Sequence, residues 1–82
     1  MISPDDIYAE LTVTFRSIFR DNTIILRPES TPETIAGWDS FKYVSVLVAI
    51  EAAYAIELDG PELDNVQNVG ELVALIQAKA AA

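Results

Sequence analysis

Ser40 is the residue of this sequence best placed to carry chemistry. It follows Asp39, precedes Phe41, and stands where an irregular stretch gives way to a run with helical periodicity. A hydroxyl in the first turn of a helix projects into solvent beside backbone N–H groups that lack intrahelical partners. A phosphodiester attached there would sit in the favourable field of the helix N-terminus. Taken alone, Asp39-Ser40 reads more simply as a helix cap, the ordinary use of such residues at a helix start.

Other chemistry is scarce. The 82 residues include no histidine and no cysteine. Common nucleophile–base pairs, thiolate chemistry and most zinc sites draw on one or the other, so self-contained catalysis is not expected. A hydroxyl at position 40 needs no local base if a second enzyme does the attaching. The carboxylates are too dispersed for a calcium loop or an acid–base pair. Tyr8, Tyr43 and Tyr54 fall on helix faces as packing residues, without a glycine-rich or basic framework for a nucleotide.

Charge narrows the partners. Thirteen acidic against five basic residues give a net charge of -8, which repels phosphate backbones and anionic membranes and attracts proteins with basic surfaces. Neither nucleic acid nor a membrane is expected as a partner. Apolar runs such as Val46 to Ile50 are too short to span a bilayer, and Met1-Ile2-Ser3-Pro4-Asp5-Asp6 lacks the basic start of a secretion signal. With no cysteine present, these features point to a cytoplasmic protein.

The elements that must position Ser40 can be read from periodicity. Ser3 as N-cap, Pro4 at the first helical position and Asp5 and Asp6 in the first turn open helix one, in which Ile7, Leu11, Thr14, Phe15 and Ile18 recur at helical steps. It is expected over residues 4–20. Residues 21–39 keep no helical period and contain Pro28, Pro32 and Gly37, so they form a long loop. Its residues Ile24, Ile25, Leu26, Ile35 and Trp38 should pack it onto the helices, and Ser30 to Glu33 could cap one short turn.

Helix two, expected over residues 40–55, has two apolar stripes at about 100° per residue. Tyr43, Val46, Leu47, Ile50 and Tyr54 form the stripe that can face a core, while Phe41, Val44, Val48 and Ala55 lie on the opposite side. After Asp59-Gly60-Pro61 a short helix fits residues 61–66, contributing Leu63 and Val66. Asn68 and Glu71 form a capping-box-like pair before a last helix over residues 69–79, with Val69, Leu72, Val73 and Ile76 inward. The tail from Lys79 to Ala82 should fray. Residues 1–82 thus make one domain, an all-α four-helix bundle with three long helices and one short.

At this point the sequence resembles a known family. Gly37-Trp38-Asp39-Ser40-Phe41 is similar to the attachment motif of acyl carrier proteins. The run Ile50 to Leu58 is similar to the end of that family's second helix, and Asn68-Val69-Gly70-Glu71-Leu72-Val73 to the start of its last. The resemblance spans residues 31–78, and the three blocks fall in the family's order and spacing.

The resemblance implies that Ser40 accepts 4'-phosphopantetheine from coenzyme A through a separate phosphopantetheinyl transferase, and that Asp39 helps the transferase engage. Cargo would ride as a thioester, loaded by an acyl- or aminoacyl-loading ligase or an acyltransferase and handed to downstream synthase enzymes. It also implies that helix two is the surface partners read, which gives Phe41, Val44 and Val48 a role as docking patch, with Glu51 as a charged contact and the protein a monomer.

Carriers of fatty acid synthesis usually carry several acids along this helix, whereas here Lys42, Ser45 and Ala52 occupy such places. That departure hints at a specialised pathway, and Trp38 before the Asp-Ser pair points the same way, unless it is a loop anchor. Two alternatives fit the same residues, an aminoacyl or peptidyl carrier loaded by an adenylating ligase and an unmodified helical module that binds proteins through its second helix.

Overall fold

The computed structural model describes residues 2–81 and consists of α1 (Pro4–Phe19), α2 (Ser40–Tyr54), α3 (Gly60–Asp64) and α4 (Val69–Ala81). α1 begins as its sequence dictates, with the Ser3 hydroxyl oxygen accepting from the Asp6 N–H at 3.2 Å and Pro4 in the first turn. Its buried residues Ile7, Leu11, Phe15 and Phe19 repeat every four positions and form one seam against α2 and α4. α1 and α2 each end one residue before the expected boundary. Arg20 and Ala55 adopt left-handed conformations, both at φ 54°, and donate their N–H groups to Arg16 O and Glu51 O. Neither is a glycine, so each of these caps costs about 1 kcal/mol.

α3 starts at Gly60 and stops at Asp64, short of the expected residue 66. A full capping box between Asp59 and Glu62 fixes its start, while at its end Val66 N–H already reaches Leu63 O in a tight three-residue step. Leu63 and Val66 still supply its half-buried face. The expected fraying of the tail is corrected in the opposite direction. α4 continues to Ala81, and Lys79 Nζ lies 2.7 Å from Glu62 Oε1 on α3, so the end of the last helix is tied to the short one. That hydrogen bond raises the Lys79 pKa. Ala82 lies outside the described residues.

The loop between α1 and α2 is held by named bonds rather than by a regular element. Arg16 Nε donates to Ile24 O at 2.9 Å, and Ile24 and Ile35 are buried in the core. Ser30 does not cap the turn that follows. Its buried hydroxyl oxygen accepts from Arg27 N–H, and the turn is closed by Thr31 with Thr34, in place of Glu33. At the head of α4 the Asn68 side chain accepts from Glu71 N–H, and the Glu71 carboxylate reaches back one residue further than in a capping box, to Gln67 N–H. The next two N–H groups donate to the loop, Val69 to Ser30 O and Gly70 to Pro28 O, each at 2.9 Å. The helix terminus is thereby satisfied by the loop that it seats.

Gly70 makes that approach possible. A Cβ built on it would stand 2.9 Å from Pro28 O and 3.2 Å from Pro28 Cα, both backbone atoms that cannot swing aside. Gly70→Ala should therefore destabilise the fold by about 1–3 kcal/mol, as overpacking does. A fall in the denaturant midpoint at unchanged slope would show it, and an unchanged midpoint would show that the loop seat is soft.

Three tyrosines make the stability of this fold sensitive to alkaline pH. Tyr8, Tyr43 and Tyr54 hold their phenolic protons more tightly than a free tyrosine, in each case chiefly because burial disfavours the phenolate, with Glu29 adding to Tyr8 and Glu10 and Asp6 to Tyr54. With folded pKa values above the unfolded value of about 10, their contribution is whole below that pH and lost as pH rises through the folded pKa. Phenolate absorbance should appear at higher pH in the native protein than in urea, with unfolding free energy falling over the same interval. Coincident titration curves would contradict the burial of these rings.

Candidate functional site

α2 is preceded by a short link whose parts are each fixed. Gly37 has φ +82°, a left-handed conformation that suits glycine and turns the chain outward after buried Ile35. Trp38 then returns to the core, its ring centre 5.2 Å from Phe15 and 5.1 Å from Tyr43. Trp38 is thus the loop anchor that its size suggested. Asp39 is extended, at φ -135° and ψ 169°, and its carboxylate accepts from Lys42 N–H at 2.7 Å, while Asp39 O accepts from Tyr43 N–H at 3.0 Å.

Asp39 is therefore the cap, and Ser40 is the first residue of the helix, exposed. Tyr43 N–H makes the first intrahelical bond, to Asp39 O, and of the four N–H groups before it that lack an intrahelical partner, that of Lys42 is taken by the Asp39 carboxylate. Those of Ser40 and Phe41 remain at the open end of the helix, beside the Ser40 hydroxyl, and suit an anionic substituent. The geometry offers an acceptor hydroxyl with anion-stabilising dipoles. Among the described residues no group of three or more acidic side chains gathers as metal ligands.

On the outward side of α2, Phe41, Val44 and Val48 are 82%, 56% and 58% exposed, and their spacing puts them in one row. Nothing among the described residues covers them, since Trp38 turns inward and Ile25 is itself exposed. Between Ser40 and Ile50 the helix carries no carboxylate. Glu51 has work inside the chain, because its Oε2 accepts from Leu58 N–H at 2.9 Å and pins the segment that leaves α2. Gly37, Trp38, Asp39, Ser40 and Phe41 are brought together at the head of α2, the apolar row runs away from them, and Glu51 lies apart at the far end.

Two features escape a reading of the sequence. One is a half-open apolar cleft of about 130 Å3 walled by Trp38, Tyr43, Leu63, Val66, Val69 and Leu72. It lies where α2, α3 and α4 meet, and no periodicity marks a void between helices. The other is the ammonium of Lys42, which donates to Gly37 O at 3.2 Å and stands 5.3 Å from the centre of the Phe19 ring. Its partners are a backbone carbonyl and a residue 23 positions away in sequence, contacts that only the folded loop creates.

No protein-family profile matches the chain, and neither does any curated protein. Among solved structures, that of the holo acyl carrier protein from Geobacter metallireducens is 35% identical, with a TM-score of 0.84, and the match covers 90% of this chain and 85% of that one. This chain belongs to the acyl carrier protein family. Its four helices are those of an acyl carrier protein, and its role is that of a carrier. No helix among the described residues is long and apolar enough to cross a membrane.

Proposed function

We propose that this acyl carrier protein bears acyl intermediates as thioesters on a 4'-phosphopantetheine arm at Ser40, in a specialised branch of fatty acid, polyketide or related biosynthesis. The observation that carries the reading is the division of labour at the head of α2. Asp39 caps the helix, so the Ser40 hydroxyl is exposed and free to be esterified beside two N–H groups that favour a phosphate. The similar protein from Geobacter metallireducens is a holo carrier, which supports the same arm here.

In the attachment step Ser40 Oγ forms a bond to the phosphorus that bears the pantetheine of coenzyme A, as the bond from that phosphorus to 3',5'-ADP breaks. The hydroxyl proton passes to a base on a phosphopantetheinyl transferase. Asp39 positions the acceptor by fixing the first turn. When bound, the arm supplies a terminal thiol for the thioester. A ligase or acyltransferase loads it, and synthase enzymes dock on Phe41, Val44 and Val48, with the cleft beside Trp38 and Tyr43 able to shelter a small apolar cargo. Absence of carboxylates between Ser40 and Ile50 favours the specialised pathway over the housekeeping one. We place the protein in the cytoplasm, as a monomer. Intact mass after incubation with coenzyme A and a promiscuous transferase tests the reading, which requires the gain of one phosphopantetheine.

A further inference from the structure

The only cation on α2 is committed to the turn before Ser40. Lys42 is held three ways. Its N–H donates to the Asp39 carboxylate at 2.7 Å, its ammonium donates to Gly37 O at 3.2 Å, and that ammonium stands over the Phe19 ring at 5.3 Å. Residues 37–42 therefore form a closed bracket. Lys42 grips the carbonyl of the one left-handed glycine, Asp39 grips Lys42, and Trp38 anchors the middle of the link against Phe15 and Tyr43. Ser40 lies inside the bracket, and its hydroxyl is not one of the groups the bracket uses.

We infer that Lys42 is a positioning residue for the modification of Ser40. This rests on Ser40 being the attachment point. The ammonium acts on the loop conformation and not on the reacting atoms. It keeps the Gly37 carbonyl turned toward α2, so that residues 37–39 present the hydroxyl in the orientation a transferase can accept. Without it, the Gly37 link samples other turns, and the competent fraction of the apo carrier falls. An enzyme that binds only the competent form then sees a weaker substrate in proportion to that fraction, with its rate at saturation unchanged.

The test compares Lys42→Met, Lys42→Arg and the wild type as apo substrates of a promiscuous phosphopantetheinyl transferase with coenzyme A. Methionine keeps an unbranched apolar stem over Phe19 and removes the charge and its donors, whereas arginine keeps both. For Lys42→Met the KM for the carrier should rise, by at most about tenfold, the ceiling set by one lost charge-assisted hydrogen bond at a partly exposed site, with kcat unchanged. Lys42→Arg should restore most of the loss. Independently of activity, the Gly37 and Ser40 amide signals in NMR spectra of Lys42→Met should broaden or shift, while the protein stays fully folded and its unfolding cooperative. Wild-type kinetics in Lys42→Met would overturn the inference. So would a fall in kcat, or a loss of rate confined to conditions in which part of the variant is unfolded, which would make Lys42 merely structural. A wild-type protein that takes no arm at all would instead overturn the assignment of Ser40 itself.

Discussion

Ser40→Ala should remain at its apo mass under conditions in which the wild type gains one phosphopantetheine. The effect is all or none, because among the described residues no second exposed hydroxyl lies in the first turn of a helix. Ser45, the next serine along α2, donates its hydroxyl back to Phe41 O at 3.1 Å within the helix. Loss of modification by misfolding is guarded against by the same observation that motivates the experiment. Since Asp39 and not Ser40 supplies the cap, Ser40→Ala should shift stability by less than about 0.5 kcal/mol, the usual range for an exposed position. Asp39→Ala, which removes the acceptor for Lys42 N–H, should cost about 1 kcal/mol. The pair separates the two uses of an Asp-Ser dipeptide that the sequence alone could not separate. A modified Ser40→Ala protein would move the attachment point elsewhere, and an unmodified wild type would leave a helical module that binds proteins without an arm.

The fold was legible in the sequence wherever one short-range rule acted without competition. The start of α1 needed only Ser3, Pro4 and two aspartates, and Ile7, Leu11 and Phe15 of its seam were read from their spacing. Phe19, which completes the seam, was not, and Thr14 and Ile18 lie only half-buried at its edge. The apolar row of Phe41, Val44 and Val48 was visible because a helix with stripes on both sides can bury only one of them. Helix ends were less legible, because Arg20 and Ala55 are not residues that mark a left-handed cap. The persistence of α4 past Lys79 depends on Glu62, on another helix, and tail composition says nothing of that. Glu51 illustrates the same limit at the site. Its charge could be read as a contact for partners, but the N–H of Leu58, seven residues on, takes one of its oxygens. The cleft and the Lys42 bracket belong to this class as well, since both arise from elements far apart in the chain.

Val48→Glu or Val44→Glu should weaken docking of a partner enzyme by about 2 kcal/mol or about thirtyfold, the scale of a residue at the centre of an interface. Both valines are more than half exposed, so the free protein should keep its stability within about 0.5 kcal/mol. Cooperative destabilisation in either variant would mean that the faces of α2 had been misassigned. How the loss divides between association and dissociation carries more information than its size. With a net charge of -8 spread over the chain, encounter with a basic partner is steered at long range. In the proposed docking mode, contact would fall on a stretch of α2 that offers three large apolar side chains and, between Ser40 and Ile50, no carboxylate. Added salt should therefore slow association of the wild type and leave its dissociation rate nearly unchanged, because salt screens exposed charges over about 10 Å at 0.1 M and does not weaken apolar contact. The valine substitutions should do the reverse, speeding dissociation at every ionic strength. Salt that accelerates dissociation of the wild type would show that ion pairs at the contact hold the complex together, and the apolar row would then be a bystander.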